Sequence, residues 1–428
     1  MNSKEINANN LLNLTKMIKK NKNGLPLEVK YCKNCNLSNQ QPTSTNEYFH
    51  TKETVQQTIE FDAAGVCAGC NFHKTKWDQT TNWEEREKEL SDLCNKFRKK
   101  NGEYDCIVGG SGGKDSIFQS HTLKYKYNMN PLTVTWSPHL YTEVGWKNFQ
   151  NWIHKGGFDN YLYTPNGKIH RRLTREATLR LLHPFQPFII GQKTFVVKMA
   201  AKFNIPLIFF GENPGEGGKK ISHNASGISL NNEVSDQKGY EIDPLQGEKF
   251  KNVYLGGKKV QEYIDEGIKL SDLMSYCPLE PNELKKKNIQ IFWLGYFLRW
   301  IPQENYYFAV EKTDFSANPE RTEGTFQKYA SMDDKTDGFF YYTRYIKFGV
   351  GRAMLDSAQE IRNGHINKDE GKRLIKKFDG EFPVRYENEF FDYISMNKNE
   401  FIELADKFRP DHIWGKKSNR WELKKIIE

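Results

Sequence analysis

The 428-residue sequence contains no apolar run long enough to cross a membrane, and the polar residues at its start lack the apolar core of a secretory signal. These absences argue against a membrane-spanning protein and against a secreted one. We therefore expect a cytoplasmic protein with no membrane partner.

A strong excess of basic residues is also missing. The chain has 63 lysines and arginines against 54 acidic residues, a net charge of +9. The basic residues are spread along the chain and do not form a stripe interleaved with aromatic residues, as a nucleic-acid-binding surface would. We expect no nucleic-acid partner, whereas a mild positive charge suits anionic small substrates such as ATP and sugar nucleotides.

Cysteine is scarce, and four of the seven cysteines form two Cys-x-x-Cys pairs, at Cys32 and Cys35 and at Cys67 and Cys70. Two pairs at this separation can arrange four thiolates tetrahedrally. They predict a reducing compartment and a structural Zn²⁺ site in a small β-rich ribbon. An iron–sulfur cluster and a redox pair are the alternatives. Because four thiolates complete such a site, nearby histidines such as His50 are not expected to be ligands.

The main glycine-rich stretch reads YDCIVGGSGGKDS and ends at Ser116. Its spacing fits neither the Walker A loop nor the dinucleotide fingerprint. It begins as an apolar segment of strand length and leads into a segment of helical periodicity, a geometry that presents backbone N–H groups to an anion. Gly112 and Gly113 allow close approach of a ligand. Lys114 adds positive charge, and Ser111 and Ser116 add hydroxyl donors.

The hexapeptide Ser-Gly-Gly-Lys-Asp-Ser at 111–116 resembles the PP-loop of the ATP pyrophosphatases, which cleave ATP between its α and β phosphates. The resemblance implies an α/β fold of the adenine nucleotide alpha hydrolase type that binds ATP and Mg²⁺. An ordinary glycine-rich turn would leave the Lys-Asp-Ser unexplained. The predicted nucleotide-binding residues are Gly110, Ser111, Gly112, Gly113, Lys114, Asp115, Ser116 and Gly211.

After this loop, strand and helix patterns alternate, which predicts a parallel sheet with helices on both faces. The predicted strands are 131–136, 159–164 and 206–210, and the predicted helices are 145–154, 169–182 and 195–203. Ligands of such sheets bind beyond the carboxyl ends of the strands. The sequence Gly211-Glu212-Asn213 follows the last predicted strand. Glu212 is therefore a candidate to hold Mg²⁺ or the reacting group, with a solvated turn acid as the alternative.

Two later regions carry further predictions. Residues 214–260 are rich in glycine, lysine, asparagine and serine and are expected to form a lid or substrate loop. The segment 345–353 places Lys347 and Arg352 among glycines and aromatic residues. We predict that both bind an anion rather than form a solvated basic face.

The chain resembles the bacterial N-acetyl sugar amidotransferases over about 31–383. The motifs that carry the resemblance are the two cysteine pairs, the loop at 111–116, Gly211-Glu212-Asn213, a Thr-Glu-Gly-Thr sequence at 322–325, and the Lys-Phe-Gly-x-Gly-Arg sequence at 347–352. The resemblance implies ATP-dependent conversion of an acetamido group on an activated or acidic sugar into an acetamidino group, for a surface polysaccharide or flagellin glycan. It also implies a loose match of Lys347 and 360–362 to the lysine and Glu-x-Arg element of asparagine synthetase. The predicted catalytic residues are Lys114, Asp115, Glu212, Lys347 and Arg352.

The residue types suit this chemistry. Attack of the amide oxygen on the α-phosphate of ATP gives an adenylated imidate and releases pyrophosphate, whose charge the loop N–H groups, Lys114, Lys347 and Arg352 would stabilise. Ammonia then displaces AMP. Mg²⁺ bridging the phosphates is expected, with Asp115 as ligand or neighbour.

A PP-loop tRNA thiolase is the alternative function, and a zinc scaffold with a relict loop is a third. A thiolase needs a sulfur carrier, for which Cys106 and Cys277 are the candidates outside the pairs and the helix residue Cys94. The intact hexapeptide argues against the scaffold.

A glutamine-using amidotransferase needs a nucleophilic cysteine. In one glutaminase class it is the N-terminal residue, whereas this chain begins Met1-Asn2-Ser3; in the other it acts with a downstream His-x-Glu, which the sequence lacks. We expect a synthetase subunit that receives ammonia from a separate class I glutaminase.

The predicted organisation has four parts. They are a tail at 1–30, a zinc-ribbon-like module at 31–78, a PP-loop ATP-binding domain with its lid loop at 79–275, and a mainly helical region at 276–428 that closes the active site.

Overall fold

The structure is a computed structural model, and it describes residues 19–43, 47–77, 81–212, 215, 239–240 and 253–428. The predicted tail lies largely outside the described residues. So do Asn213 and most of the predicted lid loop at 214–260.

The centre of the molecule is a six-stranded sheet whose strand order is β3-β2-β1-β4-β8-β5. Its strands are β1 (Cys106–Gly109), β2 (Pro131–Trp136), β3 (Asn160–Tyr163), β4 (Leu207–Phe210), β5 (Gly239–Tyr240) and β8 (Gln290–Trp293). All neighbours are parallel except β5, which runs antiparallel to β8 at one edge. The predicted parallel sheet is therefore present, with β1 inside it.

Helices cover both faces of the sheet. The helices up to residue 313 are α1 (Ala68–Trp77), α2 (Trp83–Phe97), α3 (Lys114–His121), α4 (Glu143–His154), α5 (Gly167–Leu181), α6 (Gln186–Phe203), α7 (Val260–Asp265), α8 (Leu270–Leu273), α9 (Pro281–Lys287), α10 (Leu294–Phe297) and α11 (Pro302–Thr313). Side chains alternate across β1 as a strand requires. Ile107 packs with α6 on one face, while Cys106 and Val108 pack with α2 and α10 on the other.

Two predictions at the sheet need correction. Strand 206–210 is not the last parallel strand, because β8 pairs with it on the far side. Residues 291–300, which contain most of β8 and all of α10, are almost continuously apolar and aromatic. Such a run shows neither the alternation of a strand nor the spacing of a helix, so the sequence does not reveal where β8 ends and α10 begins. Helix α6 also begins nine residues before the predicted start of 195, with Pro187 in its first turn.

The C-terminal part is helical as predicted and ends in a hairpin that was not. Its helices are α12 (Asp337–Phe348), α13 (Arg352–Arg362), α14 (Lys368–Phe378), α15 (Glu387–Ile394) and α16 (Lys398–Asp406). Strands β9 (Trp414–Lys417) and β10 (Arg420–Leu423) pair antiparallel across Ser418 and Asn419. Both turn residues have positive φ, at 46° and 61°, which is the conformation of a tight hairpin turn.

The short strands β6 (Tyr254–Leu255) and β7 (Lys258–Lys259) form a separate ribbon. No helix within the described residues is long and apolar enough to cross a membrane.

Candidate functional site

The four paired cysteines meet in one place. Their Sγ atoms all lie within 4.8 Å of one another, and all four side chains are buried. The Sγ separations are 3.5 Å between Cys35 and Cys67 and 3.9 Å between Cys32 and Cys70. Four sulfurs bound to one zinc at about 2.3 Å would be about 3.8 Å apart, whereas a disulfide needs about 2.05 Å. The cluster could therefore hold a zinc ion.

The chain around this cluster is held by isolated bridges, at Tyr31 with Ser38, Pro42 with Thr58, and Phe61 with Cys67, rather than by the longer strands of a ribbon. The cysteines share one apolar core with α13, α14 and β9. A metal in this cluster would stabilise that packing, as closed four-thiolate sites do.

The glycine loop joins β1 to α3 at the carboxyl end of the sheet. Gly112 has a φ of +81°, and a Cβ there would lie 2.6 Å from the Cα atom of Phe149 in α4. Gly110 is equally confined, since its Cβ would lie 2.4 Å from the Oγ atom of Ser116. The N-cap residue of α3 is Gly113, which has no side chain with which to cap the helix. These glycines fix a narrow turn and leave the start of α3 open to an anion.

The charged residues of the loop contact one another. The Nζ atom of Lys114 lies 2.5 Å from Oδ2 of Asp115. Asn305, on α11, donates a hydrogen bond to the other oxygen of Asp115 at 3.0 Å. The main-chain N–H of Ser111 donates to Oγ of Ser116 at 3.2 Å. The Asp115 carboxylate is thus oriented from both sides, at the entrance of α3.

Gly211 and Glu212 follow β4 as predicted, next to β1 in the sheet. A Cβ on Gly211 would lie 2.7 Å from both Gln119 of α3 and the ring of Trp300. The carbonyl of Gly211 accepts a hydrogen bond from the N–H of Gly295 at 2.9 Å. Gly211 is therefore required for close packing behind the loop, and Glu212 is exposed beyond it.

Two acids beside the loop were not predicted as site residues. The carbonyl of Asp333 accepts a hydrogen bond from the N–H of Thr142, at the start of α4. Burial raises the pKa of Asp333, while the Ser111 hydroxyl and the Lys114 ammonium act against that rise. Asp334 is bound to His139 through both the ring and the main-chain N–H, at 2.8 and 2.7 Å. The sequence marks this segment as rich in acids, but more than 200 residues separate it from the loop, so no local pattern places it there.

One face of α12 extends this polar region. Asp337, Tyr341, Arg344 and Lys347 recur at intervals of three and four residues, so they share a helix face. Each keeps some accessible surface, and yet burial is the main cause of the shift in its pKa. These four side chains are thus partly exposed, and the surrounding protein removes much of the water that would otherwise solvate them.

An acid and an amine lie at the two ends of this helix face, and burial shifts both pKa values toward neutrality. Burial raises the pKa of Asp337 to about 7, next to Asp333 and Arg352. Burial also lowers the pKa of Lys347 to about 7, and its Nζ atom donates to the carbonyl of Leu181 at 3.0 Å. Ten residues of helix separate Asp337 from Lys347 by about 15 Å. The structure thus brings Lys114, Asp115 and Asp333 together and sets Lys347 at the far end of α12.

Arg352 already has protein partners. Its Nε atom lies 2.8 and 2.9 Å from the two carboxylate oxygens of Asp356, and its Nη1 atom donates to Oγ of Ser331 at 2.7 Å. Its guanidinium lies over the ring of Tyr341. Asp356 also accepts a hydrogen bond from Thr325 at 2.6 Å, so the Thr-Glu-Gly-Thr sequence helps to hold the arginine network.

The predicted Glu-x-Arg element at 360–362 has other partners. Glu360 accepts a hydrogen bond from Gln327 at 3.2 Å and lies 2.5 Å from Nδ1 of His365. Arg362 acts electrostatically on Cys35. Arg362 therefore lies near the cysteine cluster while Glu360 contacts Gln327 and His365, and the match of 360–362 to a nucleotide-binding element stays a prediction.

The three remaining cysteines are buried in apolar cores. Burial raises the pKa of Cys94 and of Cys277 to about 12 and raises that of Cys106 well above its usual range. The thiolate is the reactive form of cysteine, so none of the three is poised as a sulfur carrier.

Two comparisons with known proteins place this geometry in context. Residues 323–427 match the family model described as LPS biosynthesis protein WbpG-like, C-terminal domain. That segment contains α12 and α13 but not the glycine loop. The chain is also 34% identical over 85 residues to the uncharacterized protein MJ1599 of Methanocaldococcus jannaschii, a match that covers 20% of this chain and 29% of that protein. The first similarity supports an enzyme of lipopolysaccharide or other glycan biosynthesis.

Proposed function

We propose that the protein is an ATP-dependent amidotransferase of the PP-loop superfamily. In this proposal it converts the acetamido group of an activated or acidic sugar into an acetamidino group during bacterial glycan biosynthesis. The observation that carries the proposal is the glycine loop at the carboxyl end of β1, with the start of α3 open and Lys114 and Asp115 beside it. The similarity of 323–427 to lipopolysaccharide biosynthesis proteins supports a sugar substrate.

The loop suits the triphosphate of ATP. An anion at a helix N-terminus gains about 0.3–1 kcal/mol from the helix dipole when exposed, and up to about 2 kcal/mol when partly buried. The Lys114 ammonium, paired with Asp115 in this structure, lies at the same place. With the phosphates held there, Asp333, which interacts with Ser111 and Lys114, would lie close to them.

The reaction then proceeds in two balanced steps. The acetamido oxygen attacks the α-phosphorus, the bond to the bridging oxygen breaks, and pyrophosphate leaves with the positive charge of Lys114 beside it. The amide nitrogen loses its proton, which gives a neutral O-adenylyl imidate. Ammonia adds to the imidate carbon, the C–O bond to AMP breaks, and the acetamidine remains on the sugar.

Carboxylate oxygens suited to Mg²⁺ border the loop. Asp115 and Asp333 are the residues that would hold it, since Mg²⁺ prefers carboxylate and phosphate oxygens. A buried acid with a raised pKa, such as Asp333, is stabilised as a carboxylate by a neighbouring cation. When bound, Mg²⁺ would neutralise charge on the phosphates.

The buried state of Cys94, Cys106 and Cys277 favours this reaction over tRNA thiolation, because thiolation needs an accessible sulfur carrier and amidine formation needs no cysteine. The four-cysteine cluster, as a structural zinc site, serves either function.

The test is to incubate the protein with ATP, an ammonium salt and a panel of nucleotide-activated N-acetyl sugars. Mass spectrometry should find AMP, pyrophosphate and one sugar in which NH replaces oxygen. The matched control is the same panel of sugars lacking the acetyl group, which should release no AMP above background. Formation of ADP and phosphate instead would refute the PP-loop assignment.

We further propose that the ammonia comes from a separate class I glutaminase. All seven cysteines are buried, and the sequence lacks the His-x-Glu of a class I glutaminase. The protein alone should use ammonium and fail with glutamine, and an added class I glutaminase should restore glutamine use. Turnover with glutamine by the purified chain alone, insensitive to a glutaminase inhibitor, would contradict the partner.

A further inference from the structure

A second group of side chains of the metal-ligating types lies apart from the four cysteines. Glu47 begins the short 3-10 helix Glu47–Phe49, His50 follows that helix, and His183 follows α5. The exposed fractions of the three residues are 8%, 8% and 7%. One ligand atom from each lies within 4.8 Å of the others. Neither the sequence motifs nor the proposed reaction gives these residues a role.

The distances separate two explanations for the group. Oε2 of Glu47 lies 3.1 Å from Nδ1 of His50, which fits a hydrogen bond. Oε1 of Glu47 lies 3.5 Å from Nε2 of His183, beyond the 2.7–3.2 Å of ordinary N–H···O bonds. Two ligands of one tetrahedral ion, each about 2.1 Å from it, are about 3.4 Å apart. Hydrogen bonding explains the first distance and not the second. An ion held between the three residues is compatible with both, and the two contacts use different oxygens of Glu47.

The donor set indicates the class of ion. Two imidazoles and one carboxylate suit Zn²⁺ and neighbouring transition metals, while Mg²⁺ and Ca²⁺ prefer oxygen ligands alone. Three protein ligands leave a fourth tetrahedral position for water. The other ring nitrogen of His50 lies 3.5 Å from Nε2 of Gln56, which leaves Nδ1 on the side of Glu47.

We propose that Glu47, His50 and His183 form a second transition-metal site, of the zinc class, that fastens the N-terminal segment to the sheet domain. The 3-10 helix is already docked there. The hydroxyl of Tyr48 lies 2.6 Å from Oγ1 of Thr194 in α6, and Gln186 donates to the carbonyl of Glu47 at 2.8 Å. An ion bound by residues from both segments adds a clamp to these contacts.

The test measures metal content in the full-length protein after dialysis against buffer containing Zn²⁺. Wild type should hold two zinc ions per chain, and His183→Asn and Glu47→Gln should each hold one. His154→Asn, at an exposed histidine of α4, is the matched control and should keep two. Glu47→Gln preserves size and hydrogen-bonding capacity, so it should remain folded by circular dichroism.

Cobalt substitution identifies which site is lost. Cobalt bound to thiolates gives intense sulfur-to-metal charge-transfer bands, and a site of nitrogen and oxygen ligands does not. His183→Asn should lose one cobalt and leave those bands unchanged. A wild-type protein that binds a single zinc at saturation, or variants that keep two, would overturn the second site.

Discussion

Two helices of this protein begin at glycine turns followed by a basic residue, and their amino termini differ. At the start of α3, the loop that ends in Gly113 and Lys114 provides no capping side chain. At the start of α13, the N–H groups of Gly351 and Met354 donate to the carboxylate of Asp379 at 3.2 and 3.1 Å. The first helix start has no side-chain cap, and the second receives the chain's own carboxylate.

The comparison shows what a glycine-basic pattern can indicate. The pattern at 345–353 led us to predict anion binding, and yet the nearby N–H groups have a partner 28 residues away in sequence. A Cβ on Gly351 would lie 2.5 Å from Oδ1 of Asp379, so this glycine makes room for an internal carboxylate. Gly112 makes room for the close approach of α4 and leaves the loop open above it. Identical residue types therefore leave a helix start without a side-chain cap in one place and accommodate an internal carboxylate in the other.

The largest effect is expected from substitutions in the glycine loop before α3, which test whether that loop binds ATP. Asp115→Asn should lower AMP formation at least about 100-fold, because one oriented charged contact to the reacting groups typically contributes that much. Ser111→Ala is expected to act in the same direction. Product analysis of ATP turnover measures the loss, and circular dichroism should show an unchanged fold. Asp92→Asn, at an exposed acid of α2 that pairs with Lys88, is the control and should keep wild-type activity.

The second test concerns the cluster that packs against α13. Cys67→Ser should remove one zinc per chain and lower solubility at the same time, because metal binding and folding are coupled in such sites. Elemental analysis and the soluble yield report both effects. Cys277→Ser is the matched control, since this buried thiol donates to the carbonyl of Leu273 at 3.1 Å, as a hydroxyl can. A metal-free wild-type protein that is folded would contradict the zinc assignment.

A pair of glycine substitutions sharpens the comparison inside the open turn. Gly112→Ala should destabilise the protein by at least about 1–2 kcal/mol, because φ is +81° and the new Cβ meets the backbone of α4. Gly113→Ala should leave stability within about 0.5 kcal/mol, since its nearest neighbour would be 3.7 Å away. Urea unfolding measures both. Equal effects at the two positions would show that the turn is not confined as described.

The smallest effect on stability is expected at the start of α13, where Asp379 accepts the hydrogen bonds. Burial raises the pKa of Asp379 to about 7, although the N–H groups of Met354, Gly351 and Ala353 act against the rise. In an unfolded chain the value is about 3.9, so the folded protein holds this proton more tightly. The stabilisation of the folded state by this bound proton is complete below about pH 4 and is lost as the pH rises through 7.

Asp379→Asn should therefore be less stable than wild type at pH 5 by about 1 kcal/mol, from the lost acceptor. The gap should narrow by pH 8, where the wild-type carboxylate is charged. Thermal unfolding across this range measures the gap, and Asp369→Asn, at an exposed acid, should show no such trend. A constant gap would mean that Asp379 does not titrate there.

Much of the fold could be predicted because its signals are local. The β2 strand is a fully buried run, and its predicted bounds are correct. The turn from β1 to α3 shows directly in the glycines. The β9–β10 hairpin was missed because Ser418 and Asn419 lack the Asn-Gly or Asp-Gly sequence that marks such turns.

The site could be predicted only where it is contiguous in sequence. Ser111, Lys114 and Asp115 lie within five residues of one another in the sequence, so the motif alone predicts that they lie close together in the structure. Asp333 reaches the loop because the chain returns to the start of α4, and Asp379 reaches α13 through the packing of α14. Such pairings depend on tertiary contacts, which residue spacing does not encode.

The central claim is that the acetamido oxygen attacks the α-phosphate of ATP. The most direct test labels that oxygen in the sugar with a heavy isotope, supplies ATP and ammonium, and follows the label by mass spectrometry. The account predicts that the label appears in AMP and that the acetamidino product carries none. Label retained in the sugar, or released into pyrophosphate or water, would contradict the mechanism.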